Sequence, residues 1–493
     1  MTMANLAASW RETVRIEDLP TGLYIAGEWR EAASQKRVPV NNPADEEVLA
    51  TIACGDVEDA LGAVDAAAAT LKQWSSAPPR QRAEILLAAY RIMMDRIDWL
   101  ATLITIENGK SLNDARGEVR YAAEFFRWYS EEAVRINGEV AIAPGGANRM
   151  IVQHPPIGVC LLITPWNFPA AMATRKIGPA LAAGCTCILK PALETPLTAL
   201  AIAEILAEAG VPGGVVNVVN TDKPGLVTAA MLRDPRLRKL SFTGSTAVGR
   251  SLLAEASHNV VSCSMELGGN APFIVFEDAD IDAAIEGAMI AKMRNAGEAC
   301  TAANRFFIHE AVMEEFATKL TARMQALEVG EGWLPETACG PLVNEKSLRK
   351  VSKLVDDAID KGALVLTGGQ PIDRRGYFYP PTVLANVGSD AMIFREEVFG
   401  PVAALFSFTE EAEAIRLAND TEYGLVSYVY TGDFKRGLRV SEALEAGMIA
   451  LNRGLVSEPA APFGGVKQSG LGREGSHHGL HEFMEVKYIA TEW

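Results

Sequence analysis

The chain has little positive charge to spare. Its 46 lysines and arginines face 62 aspartates and glutamates, a formal net charge of −16. Nucleic acid and anionic membrane surfaces repel such a balance, so neither is expected as a partner. Cysteine is sparse as well. The seven, Cys54, Cys160, Cys185, Cys187, Cys263, Cys300 and Cys339, are scattered and odd in number, which argues against a disulfide framework and for a reducing compartment. Cys185 and Cys187 share one face of an expected strand, a core pattern rather than a metal one. The N-terminal stretch MTMANLAASWRETVRIEDL lacks the continuous apolar run of a secretion signal, so a cytoplasmic location is expected. Pro155 to Thr174 is free of charge and long enough to span a bilayer, but Pro155, Pro156, Pro165 and Pro169 would break such a helix. No internal repeat, low-complexity run or long linker is visible.

What is there suits a large soluble protein: 493 residues, 49% hydrophobic and 22% charged, enough for a sizeable core and more than one domain. Helical spacing dominates VEDALGAVDAAAATLKQW and PPRQRAEILLAAYRIMMDRIDWLATLITIENGK, which read as paired surface helices. From Gly158 the pattern changes to short apolar strands, GVCLLIT, CTCILK, GVVNVV and KLSFTG, alternating with helices such as PLTALAIAEILAEAG. Such alternation implies a parallel sheet. A second alternation starts at APFIVF and runs through RFFIHE, GALVLTGG, VAALFSF, VSYVYTG and GMIALN, so a second α/β domain is expected.

Four stretches carry candidate chemistry. In NAGEACTAAN, Cys300 stands among residues too small to wall it off, on the expected connection between a helix and the strand RFFIH. A structural thiol usually has bulky apolar neighbours, so this one reads as a candidate nucleophile, with the structural reading still open. In MELGGNAP, Glu266 lies between apolar residues before a double glycine, where a raised pKa would suit a general base; a surface glutamate before a turn is the alternative. ITPWNFP ends a buried strand in a proline-bounded loop whose Asn167 amide could donate to an oxyanion, or could simply be part of a rigid turn. KLSFTGSTAVG runs a strand through Gly244 and Ser245 into a helix, a cradle for phosphate or an ordinary αβ corner. GLGREG, at 470 to 475, matches G-x-G-x-x-G, but a glycine-rich loop precedes it instead of a strand, so it is rejected as a dinucleotide fingerprint.

Together these motifs resemble the aldehyde dehydrogenase superfamily. ITPWNFP, LKP, FTGS, MELGGNAP, NAGEAC, EEVFGP and PFGGVKQSGLGREG stand in the family's order, from Asn41-Asn42-Pro43 to Lys487. Within it the chain looks most like succinate-semialdehyde dehydrogenases, which share ATRK, a close variant of MRNAG and the PFGGVKQSGLGREGS ending. The resemblance implies an α/β fold of two Rossmann-like doubly wound domains plus a small oligomerisation segment. Residues 1–137 and 157–265 would bind cofactor, 266–470 would be catalytic, and 138–156 with 471–493 would join subunits into a homodimer or homotetramer.

The resemblance also implies roles. Cys300 would add to the aldehyde carbon, the Asn167 amide and the Cys300 N–H would hold the oxyanion, and Glu266 would activate water against the thioester. Lys176 and Glu474 would relay protons. NADP or NAD would contact Thr164, Trp166, Lys190, Leu193, Gly244, Ser245, Glu397 and Phe399. NADP is favoured because Leu193 stands where NAD-preferring relatives carry an acid, and Glu194 would replace that acid only if the backbone turned by one residue. Arg175, Arg294 and Ser457 would hold a substrate carboxylate, as on succinate semialdehyde, with glutarate or 2-oxoglutarate semialdehyde or broad specificity as alternatives. Arg453 departs from the Thr or Glu usual in these relatives, and Ala302 replaces a second loop cysteine, so no local redox partner for Cys300 is expected. No metal is implied.

Overall fold

The structure, a computed structural model, describes residues 9–492. Two large sheets organise it. The first has eight strands in the order Gly470–Leu471, Ser262–Glu266, Leu237–Thr243, Val159–Ile163, Thr186–Lys190, Val216–Val218, Leu23–Ile25, Glu28–Arg30. Its five central strands, Ser262–Glu266 through Val216–Val218, pair in parallel, and the flanking strands are antiparallel. The second has seven: Leu364–Thr367, Thr382–Ala385, Val402–Phe408, Ala303–His309, Ala271–Val275, Val426–Tyr430, Met448–Leu451. All of its pairs are parallel except the one at the Leu364–Thr367 edge. Val159–Ile163, Thr186–Lys190 and Ala271–Val275 are buried along their whole lengths, as strands covered on both faces must be, which is why they read as mostly apolar runs without alternation. The two sheets bear out the expected α/β class.

A third sheet of three antiparallel strands, Glu139–Ile142, Arg149–Gln153 and Lys487–Thr491, brings residues of two distant segments together. It exposes Val140, Ile142, Tyr488 and Ile489. Among the described residues no helix is long and apolar enough to cross a membrane.

The expectation of surface helices fits Val57–Ser75 and Pro79–Asp95, each buried along one face, but is corrected for the last part of the second stretch. Ile97–Asn108 is buried from Leu100 to its end, and Leu112–Glu132 buries Phe125, Phe126 and Tyr129 against the Pro169–Ala183 helix, itself buried at every position. The polar residues that suggested a solvent face are satisfied inside: Thr102 donates to the Asp98 carbonyl, Glu107 accepts from Leu197 and Thr198, and Asn108 donates to the Trp166 carbonyl.

Candidate active site

The carboxyl ends of the first sheet's parallel strands meet the amino ends of the second sheet's strands across a cavity of about 460 Å³. After Val159–Ile163 comes Trp166 and Asn167, after Leu237–Thr243 comes Gly244 and Ser245, and from the second sheet's side come Cys300, Glu397 and Phe399. A crevice at strand carboxyl ends is where open α/β sheets bind ligands. Trp166 and Phe399 meet edge to face, with ring centroids 5.3 Å apart. Glu397 accepts from the Gly269 N–H at 3.1 Å, and burial raises its carboxyl against the opposing pull of Lys350 and Lys292. Ser245 caps the Thr246–Ala256 helix by accepting from the Val248 N–H and lines the cavity, so the helix N-terminus stands at the cavity wall. Thr243 adds a buried hydroxyl with no partner.

Cys300 follows the short 3-10 turn Arg294–Gly297 and precedes the strand Ala303–His309. Asn295 and Ala296 hold left-handed φ values of 52° and 50°, unusual for side-chain-bearing residues, and the loop around them is tightly tied. The Asn295 N–H donates to Asp114 at 3.0 Å, and its amide donates to the carbonyls of Asn167 and Glu298 at 2.9 and 3.1 Å. Asn167 in turn donates its amide to the Glu298 carbonyl at 3.1 Å, which brings the expected oxyanion donor onto the thiol's own loop. Burial pushes the Cys300 thiol up to about 12, with Arg175 pulling the other way and Glu397 and Glu266 adding to the rise. In the resting cavity the group is therefore the neutral thiol.

Behind this wall lies a cluster of charge. Glu266 ends the strand Ser262–Glu266, neither carboxylate oxygen has a hydrogen-bond partner, and Oε1 lies 2.9 Å from where a Cβ on Gly464 would stand. Burial and the nearby Glu474 hold its carboxyl well above the usual range, against Arg175, Lys176 and Arg473. Glu474 is in ion-pair contact with both Arg175 and Lys176, and Lys176 also donates to Ser241 Oγ at 3.0 Å. Arg175 stacks over the Phe463 ring at 4.4 Å. Arg294 stands apart from that cluster, donating to Thr301 Oγ1 at 3.3 Å and Ser457 Oγ at 3.4 Å, with Tyr121 within electrostatic reach of both arginines.

A match to the aldehyde dehydrogenase family model covers residues 29–489. This chain belongs to the aldehyde dehydrogenase family. Among its relatives, a succinate-semialdehyde dehydrogenase of Paenarthrobacter nicotinovorans is 54% identical, covering 90% of this chain and 98% of that one. A glutarate-semialdehyde dehydrogenase of Pseudomonas putida KT2440 is 48% identical over 94% of this chain and 96% of its own. The solved structure of an NADP-dependent enzyme of E. coli superposes with a TM-score of 0.95 at 46% identity, covering 96% of this chain and 98% of that one.

In this aldehyde dehydrogenase the remaining expected cofactor contacts fall unevenly. Thr164 donates its N–H to the Lys190 carbonyl at 3.2 Å, linking two strand ends. The Lys190 ammonium donates to the Pro191 carbonyl at 2.9 Å, and burial lowers it to about 8 while Glu194 opposes the fall. Leu193 packs against the main core cluster, and Glu194 lines the cavity, so the turn after Lys190 does present an acid, contrary to the expected orientation. Arg453 is exposed and donates to the Leu455 carbonyl of its own turn.

Sequence reasoning missed two groups. Lys346, Ser347 and Lys350, on the Glu345–Asp360 helix, line the same cavity as Glu194. Lys346 and Lys350 lie four apart in a strongly amphipathic helix, a spacing that puts both on one face and could have flagged them. Lys110 and Glu118 form an ion pair with both side chains wholly buried, beneath Asn167.

Proposed function

We propose that this enzyme oxidises a carboxylate-tailed aldehyde to the corresponding acid with NADP or NAD, and that succinate semialdehyde is the aldehyde it handles best. The observation that carries the proposal is Arg294. Its guanidinium reaches Ser457 at 3.4 Å and Thr301 at 3.3 Å, and Thr301 is the residue next to the candidate nucleophile. A bidentate cation and a hydroxyl beside the thiol suit a carboxylate held a few bonds from the reacting carbon. Arg175, the other arginine considered for this role, is engaged with Glu474.

Cys300 Sγ bonds to the aldehyde carbon as its proton is released to solvent through the open cavity, which leaves the Glu266 carboxylate free for the later step. The carbonyl oxygen becomes an oxyanion facing the Asn167 amide and the Cys300 N–H. Loss of hydride from the tetrahedral carbon leaves a thioester; when bound, the nicotinamide supplies the acceptor for that hydride. Glu266 then takes a proton from water, whose oxygen attacks the thioester and releases the acid and the Cys300 sulfur. The residues present suit a dinucleotide: Ser245 and the helix N-terminus for its phosphates, the orphaned Thr243 hydroxyl, and Glu397 for a ribose hydroxyl. Lys176 and Glu474 are the proposed outlet for the proton Glu266 collects, since Glu474 is in contact with Lys176 and electrostatically coupled to Glu266.

The exposed apolar residues of the third sheet support its reading as the oligomerisation segment, 138–156 with 471–493, of a homodimer or homotetramer. Residues 1–137 with 157–265 and residues 266–470 are the proposed cofactor and catalytic domains. All seven cysteines are free, in keeping with a reducing, cytoplasmic setting.

The test is kcat/KM for succinate semialdehyde, glutarate semialdehyde and butanal with each cofactor, in wild type and Arg294→Met. Succinate semialdehyde is expected to lead, and the substitution to cost it roughly 30- to 1000-fold while barely touching butanal. Equal efficiency with butanal in the wild type would remove the carboxylate from the proposal, and a lead for glutarate semialdehyde would move it to the longer substrate.

A further inference from the structure

The segment Glu107–Lys110 reads in sequence as the polar end of a surface helix, yet all four residues are buried and three of them reach into the cavity's loops. Glu107 accepts from the N–H groups of Leu197 and Thr198, both at 2.9 Å, at the start of the Pro196–Glu208 helix. Asn108 donates to the Trp166 carbonyl at 3.1 Å. Lys110 donates to the Asn167 carbonyl at 2.6 Å and to Glu118 at 2.6 Å, with its ammonium 4.1 Å over the Phe168 ring. Glu118 then accepts from the N–H groups of Ala170 and Ala171 at 2.8 and 3.3 Å, in the first turn of the Pro169–Ala183 helix.

We propose that Lys110 is the positioning residue for the Asn167 amide. This rests on the oxyanion role given to Asn167 above. The carbonyl of Asn167 receives the Lys110 ammonium and the Asn295 amide, so the residue is gripped from the helical layer and from the thiol loop at once. Its side-chain amide, which has one bond to the Glu298 carbonyl and an oxygen without a partner, takes its direction from that grip. The anchor cannot drift. A Cβ on Gly340 would stand 2.0 Å from the Gly109 carbonyl oxygen, and Leu112 donates to the Gly332 carbonyl at 2.8 Å, so loops of the second sheet press on the segment. An oxyanion donor acts only when aimed at the place where charge develops, and an error of about 1 Å costs on the order of 100-fold. A charge on Lys110 that fixes the Asn167 backbone therefore acts on the chemical step through geometry, with no contact to the reacting atoms.

Two variants separate this role from support of the fold. Lys110→Met leaves Glu118 buried and unpaired, whereas Lys110→Met/Glu118→Gln removes both charges and keeps the fold. Each is compared with wild type by the rate of the first burst of NADPH with succinate semialdehyde at saturating NADP, and by the NADP Kd from protein fluorescence. The burst is expected to slow roughly 100-fold in the double variant while Kd moves less than about 3-fold. In an Asn167→Ala background the same pair of substitutions is expected to add less than about 2-fold, because the group it positions is already gone. A double variant with a wild-type burst overturns the proposal, as does a full further loss in the Asn167→Ala background, which would mark a general structural effect. An Asn167→Ala enzyme that keeps its burst overturns the oxyanion role and, with it, the positioning role.

Discussion

Glu266 and Glu474 are the same residue type at nearly the same depth, 3% and 5% exposed, and within electrostatic reach of each other. Their surroundings drive them apart. Burial works against the charge on both, but Glu474 is in contact with the Arg175 guanidinium and the Lys176 ammonium, which hold its carboxyl below the ordinary range. Glu266 sees those cations only at longer range, has no hydrogen-bond partner, and is pushed well above that range by burial and by Glu474 itself. Two acids split in this way suit the proposed roles of base and proton outlet, since active sites assign different roles to identical side chains by their surroundings.

Removing the paired member should cost most. Glu474→Gln leaves two buried cations uncompensated, and a loss of about 3 to 5 kcal/mol in unfolding free energy is expected by denaturant titration. Retention of wild-type stability would mean the contacts are not an ion pair in solution. Glu266→Gln should instead leave the hydride burst and cut steady-state turnover by roughly 100- to 10,000-fold, because only thioester hydrolysis loses its base. Unchanged turnover would end its role as water activator. The two also differ in pH dependence. A lowered acid contributes stability above its unfolded pKa, so Glu474→Gln loses ground against wild type as pH climbs through the carboxylate range. A raised acid contributes stability that is lost as pH rises, so Glu266→Gln gains ground over wild type above that range. Parallel curves for the two variants would erase the distinction.

Cys300 extends the contrast, since it is a half-buried acid with its charge disfavoured, as at Glu266. With its thiol pushed up to about 12, the thiolate fraction should climb about tenfold per pH unit. Alkylation of Cys300 by iodoacetamide in the free enzyme, followed by peptide mass spectrometry, is expected to rise about tenfold per pH unit, roughly 100-fold from about pH 7 to 9, without levelling. A plateau near neutral pH would indicate a thiolate held by a cation, which would put Cys300 with Glu474 instead of Glu266.

The sequence carried the parallel strands and the thiol loop because both are local signals: mostly apolar runs without alternation, and a cysteine among residues too small to bury it. It carried the residues of the proton cluster only through resemblance, since Lys176 and Glu474 are 298 positions apart. The clamp beneath Asn167 was not legible at all. Lys110 finds its partner 57 residues on and Glu107 finds its own 90 on, so their polar side chains look solvent-facing until the fold supplies those partners. The third sheet is hidden for the same reason, as Lys487–Thr491 pairs with Arg149–Gln153 across most of the chain. At Leu193 and Glu194 the obstacle is finer, a single residue of backbone turn deciding which side chain faces the cavity.

That turn yields the smallest expected effect. Leu193 packs against the core, and Glu194 lines the cavity with its carboxylate 3.5 Å from the Asn344 amide. Lys346 and Lys350 line the same cavity. An acid near the adenosine ribose favours its hydroxyls and repels a 2′-phosphate, whereas lysines attract one, so this cavity sets opposing charges against each other. Partly exposed charges differ by about 1 kcal/mol or less, and Glu194→Gln should raise the ratio of kcat/KM with NADP to that with NAD only about 3- to 5-fold. Lys346→Met should lower the same ratio by a similar factor. Leu193→Glu, with its new carboxylate directed at apolar neighbours, should lower stability and leave the ratio alone. If Leu193→Glu moves the ratio and Glu194→Gln does not, the ribose lies against Leu193, and the charges around Glu194 have no part in choosing the cofactor.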